Sequence, residues 1–328
     1  MRAMGNLGLT CSSMGFGCMG MSGTYGPADE AESRLTIREA LDRGVTMFDT
    51  ADIYGNLSGE RLVGTALAGR RDEVIIASKF GGAELDDDGN VTGGTNGTPQ
   101  YVRRSVERSL RALGTDRIDL YYQHRVDPQV PVEETFGALG ELVVAGKIRY
   151  VGICEAAPGT IRRAHGATPL SAVQTEFSLF SRQVESNGVL ATARELGIGF
   201  VASSPLGRGI LTGALRTAEA LGAEDLRTYY PRFQPGSFEH NLRVARDIEE
   251  TAATYGMSLA QFSLAWLLGA GDDVVAIPGT RTREHMRENL VAAQMKLDEP
   301  ARRRAAAQVE TGEVLGARRS SADPAIEE

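Results

Sequence analysis

The 328-residue sequence predicts a (β/α)8 barrel that forms one domain, residues 1–328. Eight short apolar runs alternate with longer amphipathic segments, and this alternation favours βαβ units with right-handed crossovers and a parallel sheet. The units occupy roughly 250 to 300 residues, the usual span of such a barrel. Two ordinary domains would also fit the length, but eight consecutive units favour a single closed sheet.

Each element is predicted by its local pattern. The strands are predicted by short runs rich in β-branched and aromatic residues, at 13–18, 45–50, 74–80, 118–124, 150–154, 172–177, 199–204 and 274–279. Helices are predicted between them, at 29–44, 98–114, 132–147, 187–197 and 283–294. Most of these end at or beside a glycine, as helices commonly do.

Four segments lie outside this alternation. Residues 1–13 predict an N-terminal β-hairpin at the bottom of the barrel, and the polar residues 312–328 predict a flexible tail. Insertions at 81–99 and 207–238 follow the third and seventh strands. Because loops at the carboxyl ends of barrel strands build active sites, we expect both insertions to border the functional site.

Composition excludes several classes of function. Lys and Arg total 35 against 43 Asp and Glu, and the net charge of −8 disfavours a broad surface for nucleic acid or anionic membrane. The cysteines, Cys11, Cys18 and Cys154, form no close-spaced pair, so we expect neither disulfides nor a metal site. Without a long apolar run, the sequence predicts a cytoplasmic protein.

Polar side chains cluster at the ends of three neighbouring strands. Asp49 and Tyr54 follow the second strand, Lys79 ends the third and His124 ends the fourth. Taken singly, each has an ordinary structural explanation: a turn cap, a loop aromatic, a solvated strand end and a core imidazole. Their shared position at one barrel mouth favours a catalytic site.

These residue types suit protonation of a carbonyl oxygen. A phenol has a pKa near 10, so Tyr54 needs a cation to become an efficient acid near neutrality. We expect Lys79 to supply it, since roughly 4 kcal/mol makes the phenol about a thousandfold more acidic. Asp49 would keep Lys79 charged, and a neutral His124 would polarise the carbonyl. Because no nucleophile is present, a hydride cofactor is the natural electron source.

The chain contains one formal dinucleotide motif, GFGCMG, with Gly15, Gly17 and Gly20. A Rossmann motif requires a helix to begin within it, whereas the following MSGTYGPADE cannot start a helix before about Asp29. We therefore reject this interpretation and assign the glycines to a strand and its loop.

A better anion site occurs late in the chain. Arg281, Arg283 and Arg287 surround a predicted helix start that Thr280 or Thr282 could cap, and helix starts attract phosphate. A solvated helix face with Glu284 and Glu288 balancing the arginines is the alternative. The loop SSPLGRG, residues 203–209, offers a second set of donors suited to a pyrophosphate.

Several segments together carry a family resemblance. These are MGFGCMGM (14–21), FDTADIYGNLSGE (48–60), IIASKF (75–80), LYYQHRVDP (120–128), RYVGICEAAPGTIRRA (149–164), VQTEFSLFSR (173–182) and ENLVAAQ (288–294). The sequence thereby resembles the aldo-keto reductase superfamily over nearly its whole length. Within it, IPGTR (277–281) and the long loop after the seventh strand resemble the branch of potassium-channel β-subunits and bacterial oxidoreductases.

The resemblance implies NADPH-dependent reduction of aldehydes or ketones, with a catalytic tetrad of Asp49, Tyr54, Lys79 and His124. Cofactor-binding residues implied by it are Cys154, Glu155 and Gln174 at the carboxamide, Phe177 as a platform for the nicotinamide, Ser204, Leu206 and Gly207 at the pyrophosphate, and Gly279, Thr280, Arg281, Arg283, Glu288 and Asn289 towards the adenosine.

The sequence departs from the family pattern at four positions. Cys154 replaces the usual Ser and Phe177 a common Tyr, while Gly279 and His285 stand where many relatives have Lys and Arg against the 2′-phosphate. A preference for NADP(H) therefore depends on Arg281 and Arg283.

Two other functions remain open from sequence alone. One is a regulatory subunit that binds NADP(H) and senses its redox state with little turnover. The other is a barrel lyase or isomerase that uses Lys79 as a Schiff base.

Candidate pocket residues mix aromatic and polar character, which suits many small carbonyl compounds: Tyr25, Phe80, Arg125, Tyr229, Tyr230 and Phe233. The sequence leaves the oligomeric state open, a homo-oligomer being one option.

Overall fold

The computed structural model describes residues 1–320 and contains an eight-stranded parallel sheet. The sheet comprises β3 (Phe16–Gly17), β4 (Met47–Asp49), β5 (Ile75–Phe80), β8 (Ile118–Gln123), β9 (Ile148–Cys154), β10 (Leu170–Glu176), β11 (Gly199–Ser203) and β12 (Val274–Ala276), each paired with the next in this order. Parallel bridges from Met14 to Ala276 and from Gly17 to Gly279 join the first strand to the last. The predicted (β/α)8 barrel and its eight strands are confirmed.

Helices surround this sheet. They are α1 (Glu30–Asp42), α2 (Ser58–Ala66), α3 (Pro99–Leu113), α4 (Val132–Val144), α5 (Pro158–Ala167), α6 (Val189–Glu195), α7 (Ser237–Thr254), α8 (Leu259–Leu268), α9 (Arg283–Val291) and α10 (Glu299–Gly312). Their boundaries reflect capping chemistry: Thr98 accepts from the backbone N–H of Tyr101 at the start of α3, and Gly114 adopts a left-handed conformation at its end.

An N-terminal hairpin closes the bottom of the barrel, as predicted. Strands β1 (Arg2–Met4) and β2 (Leu9–Cys11) pair antiparallel, and the N–H of Asn6 donates to the carbonyl of Gly197 at 2.9 Å. The hairpin packs on an inner apolar cluster made by alternate residues of the barrel strands, including Met47, Ala77, Leu120, Tyr122 and Val201. The residues between them on the same strands face outward and pack against the helices. The functional site can therefore form only at an end of the barrel, and the hairpin covers the bottom end.

The two insertions cover the carboxyl-terminal face. The first contains a small hairpin, β6 (Glu84–Leu85) and β7 (Val91–Gly93). The second contains short 3-10 helices at Gly207–Thr212, Ala218–Ala220, Leu226–Tyr229 and Pro231–Phe233. Both lie on the side of the barrel where the sequence predicts the site.

Residues 313–320, part of the predicted flexible tail 312–328, make contacts with the barrel. Here the N–H of Leu315 donates to Asn241 at 2.9 Å, and Arg318 donates to Glu155 at 2.7 Å. These contacts hold the segment against the mouth of the barrel, which tail composition alone could not indicate. The rest of that prediction, 321–328, lies outside the described residues.

Within residues 1–320, no helix combines the length and apolarity that a membrane crossing requires.

The seam between β3 and β12 leaves no room for a side chain at Gly17, where a Cβ would lie 2.8 Å from the carbonyl oxygen of Ile277. We expect Gly17→Ala to lower the free energy of unfolding by about 1–3 kcal/mol, because the seam must open to accommodate the methyl group.

Gly137→Ala is the matched control, since a Cβ there meets nothing within 4 Å on an exposed face of α4. It should raise stability by roughly 0.5–1 kcal/mol through helix propensity. Urea unfolding of both variants makes the comparison, and equal stabilities would contradict the tight seam.

Candidate active site

Strand register brings the predicted tetrad to one point. Asp49 is the last residue of β4 and pairs with Ala77 of β5, two residues before Lys79. His124 directly follows β8, and Tyr54 lies in the turn after β4, where its N–H donates to the carbonyl of Ala51 at 3.2 Å. The structure therefore places all four side chains at the carboxyl end of the barrel.

A buried ion pair between Lys79 and Asp49 forms the base of the site. The side chain of Lys79 is 0% exposed and its Nζ donates to Asp49 Oδ1, to the carbonyl of Thr50 at 2.7 Å and to the Tyr54 hydroxyl at 3.4 Å. Burial disfavours the ammonium, but the nearby acidic groups, with Asp49 foremost, together outweigh that effect and raise the pKa of Lys79 above its ordinary value. A protonated, enclosed amine is a poor Schiff-base nucleophile.

Gln174 completes the ion pair. Its Nε2 donates to Asp49 Oδ2 at 2.8 Å, so each oxygen of this carboxylate has a donor. The resemblance implied a contact between Gln174 and the carboxamide, whereas here its amide nitrogen also fixes the orientation of Asp49.

The pKa of Tyr54 differs in direction from the expectation. Burial raises the pKa of the phenol above its ordinary value, and the positive charge of Lys79 opposes that rise without cancelling it. The difference arises mainly because the phenol is buried, and the negative charge of Asp49 adds to the rise. Tyr54 is therefore fully protonated near neutrality, which is the state a proton donor requires.

His124 faces Tyr54 in its neutral form. The two rings are 6.0 Å apart, edge to face at 85°. Burial, followed by the positive charges of Arg125 and Lys79, holds the pKa of His124 well below its ordinary value. Its Nδ1 has no hydrogen-bond partner among residues 1–320. A Cβ at Gly82 would lie 2.7 Å from this nitrogen, so the glycine at this position, which the sequence analysis missed, leaves room for the imidazole.

Two cavities meet at Tyr54. The first, which we call the cleft, has a volume of about 340 Å³ and runs from Asp49 and Tyr54 past Ser204 to Arg281. The second, which we call the chamber, has a volume of about 350 Å³ and contains His124 and Arg125. Tyr54 lines both, so its phenol can contact molecules held in either one.

Most predicted cofactor residues lie at one of the two cavities. Those that line the cleft are Gln174, Ser204, Leu206, Gly279, Thr280 and Arg281. Gly207 is buried beside them in the same loop, with a φ of 56°. Cys154 and Glu155 line the chamber, and burial raises the pKa of the Cys154 thiol to about 12.

Four other predicted cofactor residues lie outside both cavities. Phe177 is fully buried and packs edge to face against Phe200 and Trp266, so its ring faces the surrounding helices and not the cleft. Ser203, the first residue of the predicted donor loop SSPLGRG, lines the cleft at the end of β11.

The remaining three belong to α9. Arg283 pairs with Glu32 at 3.1 Å, and Glu288 accepts a hydrogen bond from the Ser258 hydroxyl at 2.6 Å. Asn289 is buried. Helix α9 packs against α1 and α8, and its residue His285 lines the cleft.

Arg281 lies in the cleft at the start of α9. Its guanidinium donates to the carbonyls of Tyr25, Gly26 and Pro27, the last at 2.8 Å. It thereby connects the loop after β3 with the loop after β12, across the barrel seam. His285 also lines the cleft.

Glu155 is held by the carboxyl-terminal segment. It has a φ of 51°, and its carboxylate pairs with Arg318 at 2.7 Å and Arg319 at 3.2 Å. Burial alone would raise the pKa of Glu155, but Arg319 and Arg318 outweigh it and lower the value to about 2. A strained, charged residue at a strand end is typical of a functional site.

The predicted substrate residues divide in the same way. Tyr25 lines the cleft, and Arg125 and Tyr230 line the chamber. The other three lie elsewhere: Phe80 is buried and stacked on Tyr121 at 5.2 Å, Phe233 packs on Phe238 at 5.4 Å, and Tyr229 is exposed.

Sequence reasoning missed further lining residues. Arg208 borders both cavities, 3.5 Å from Glu176 and with its guanidinium 4.4 Å from the Tyr230 ring centroid. The sequence indicated the region of Arg208, because the loop SSPLGRG was predicted to bind a pyrophosphate. Nothing in the tail sequence indicated a role for Arg319. Other residues of the chamber are Met19, Thr24, Ile53, Gly82 and Leu226. No group of metal-ligating side chains is present in the part of the chain that the structure describes.

Comparison with known proteins accords with this geometry. The model of the aldo/keto reductase family matches residues 13–305. The chain is 40% identical to aldo-keto reductase yakc [NADP(+)] of Schizosaccharomyces pombe, over 94% of this chain and 92% of that protein. It is 43% identical to probable aldo-keto reductase 1 of Glycine max, over 96% and 90%.

Solved structures share the fold. The glycerol dehydrogenase AKR11B4 of Gluconobacter oxydans superposes with a TM-score of 0.85 at 27% identity, over 100% of this chain and 98% of that one. The holo form of aldo-keto reductase AKR11C1 from Bacillus halodurans has a TM-score of 0.77 at 27% identity, over 98% and 97%. With its barrel, its buried Lys–Asp pair and these relatives, the chain belongs to the aldo/keto reductase family.

Proposed function

We propose that this protein reduces aldehydes or ketones to alcohols with NADPH, with Tyr54 as the proton donor. The observation that carries the proposal is the position of the phenol. Tyr54 lines both cavities and lies 3.4 Å from the Nζ of a fully buried, charged Lys79. A neutral phenol beside a fixed cation, shared by two cavities, suits proton donation to a substrate oxygen.

The donors of the cleft fit a dinucleotide. Ser203, Ser204 and Arg208 offer hydroxyl and guanidinium groups in its middle, and the start of α9 offers Thr280 and Arg281 at its far end. Helix starts and guanidinium groups both favour phosphate. When bound, NADPH supplies the hydride, and the relative yakc carries NADP(+) in its name.

The chain's own residues divide the remaining chemistry. The Nε2 of neutral His124 donates a hydrogen bond to the carbonyl oxygen and polarises it, while Tyr54 gives that oxygen its proton. Lys79 stabilises the phenolate that remains, and Asp49 keeps Lys79 charged and aimed. As the phenolate forms, the Coulomb attraction of Lys79 increases, so the ion pair stabilises the transition state more than the ground state.

Tyr54→Phe should lower kcat by roughly 10²- to 10⁴-fold, since general acid catalysis contributes about that much. NADPH affinity should stay within about twofold, because the phenol is not among the phosphate donors. The measurement is NADPH oxidation with methylglyoxal and aromatic aldehydes, together with fluorescence titration of NADPH.

The control is Tyr229→Phe, which removes a phenol 66% exposed and outside both cavities. Equal kcat values in Tyr54→Phe and wild type would remove Tyr54 from the mechanism. Tight NADPH binding by a wild type that turns over no carbonyl would instead favour the redox-sensing subunit.

Arg281→Ala should weaken the binding of NADPH by about tenfold or more relative to the binding of NADH, since one charged hydrogen bond contributes roughly 1.5–3 kcal/mol. Arg283→Ala is the matched control, because its guanidinium is paired with Glu32 outside the cleft. Dissociation constants of both cofactors for both variants make the test. If Arg281→Ala lowered the affinities for NADPH and NADH equally, the role of Arg281 would be to hold the loop at Tyr25–Pro27 and not to bind the 2′-phosphate.

A further inference from the structure

Arg125 is a buried cation in the chamber without a carboxylate partner. It is 8% exposed and donates to the carbonyl of His124, and it forms no ion pair with any residue of 1–320. Most buried charges in proteins are paired, because an isolated charge in a low-dielectric site is costly. Arg125 lines the chamber next to His124, so a molecule bound beside His124 would meet its side chain.

The surrounding charges increase the free-energy cost of keeping Arg125 charged. Arg208 and Arg319 also line the chamber, while the carboxylate in its wall, Glu155, pairs with Arg318 and Arg319. Burial and then the charge of Arg319 lower the pKa of Arg125 from its ordinary value, and the charge of Glu155 opposes this change without cancelling it. Among residues 1–320, guanidinium groups therefore outnumber carboxylates in the lining of the chamber, in a chain whose net charge is −8.

The cofactor does not provide the missing anion. Arg125 lines only the chamber, whereas the phosphate donors Thr280 and Arg281 line only the cleft. Arg208 can serve the pyrophosphate because it borders both cavities, but Arg125 has no such access. Since no residue of 1–320 and no phosphate donor site of the cleft supplies an ion-pair partner for Arg125, the molecule that occupies the chamber is left to supply one.

We propose that the carbonyl substrate carries a carboxylate and that Arg125 binds it, while its carbonyl oxygen faces Tyr54 and His124. This inference rests on the proposed reductase function and specifies its substrate class. A planar guanidinium with free N–H groups matches a carboxylate in a two-point contact. A singly charged group suits Arg125, which has no ion pair among residues 1–320, better than a phosphate, which carries close to two charges.

The test compares each acid with its neutral ester. Substrates are 4-carboxybenzaldehyde and succinic semialdehyde, each with its methyl ester, and the readout is the ratio of kcat/KM for acid over ester. In wild type, kcat/KM for the acid should exceed that for the ester by about tenfold or more, since a hydrogen bond to a charged group contributes that factor. Arg125→Met keeps an unbranched side chain but removes the guanidinium and its charge, and it should reduce the ratio to about one.

Arg103→Met is the control, because Arg103 pairs with Glu141 on the exposed surface and does not line the chamber. The acid-to-ester ratio of this variant should equal that of wild type. Equal wild-type rates for acid and ester, or a ratio unchanged in Arg125→Met, would overturn the inference and leave the reductase function intact. Failure to reduce any of the four compounds or the aldehyde panel would instead count against the proposed function. A larger preference for glyceraldehyde 3-phosphate over glyceraldehyde would overturn the choice of carboxylate.

Discussion

The buried ion pair between Lys79 and Asp49 is the interaction on which the rest of the site depends. Each partner alone would be a costly charge at the end of a barrel strand, and together they are stable only because Thr50 and Gln174 satisfy their remaining hydrogen-bonding groups. Breaking such a pair typically costs about 3–5 kcal/mol. The pair thereby fixes the position of a cation next to Tyr54 without a loop having to hold it there.

The barrel supplies the geometry that makes this pair possible. Asp49 pairs with Ala77, two residues before Lys79, and Lys79 pairs with Tyr122, two residues before His124. This regular stagger of adjacent strands carries all three side chains to the carboxyl end of the barrel. A seam without side chains at Gly17 lets the first strand approach the last, so that the loops carrying Tyr25 and Arg281 contact each other. The cleft is thus a consequence of barrel closure, and its cationic end is tied to the seam.

Features that depend on strand order were predictable from the sequence, whereas features that depend on side-chain direction were not. The alternation of strands and helices in a parallel sheet was enough to predict the eight strands and the convergence of Asp49, Lys79 and His124. Phe177 could not be placed, because a strand-end residue can face the barrel interior or the helices, and a shift of one residue reverses its direction.

Long-range contacts set a second limit on prediction. The polar composition of 312–328 gave no sign that Arg318 binds the strained Glu155, a contact between residues far apart in the chain. The pKa of Tyr54 was likewise expected to fall, because the sequence shows that Lys79 is near but not how deeply the phenol is buried. The most direct test of the central claim is the pH dependence of kcat for Asp49→Asn and wild type. Without its partner, buried Lys79 should lose its proton more easily, so the variant's kcat should be about 10²-fold lower and fall further as the pH rises, while wild type varies little across about pH 6 to 8. A wild-type kcat and pH profile in Asp49→Asn would contradict the account.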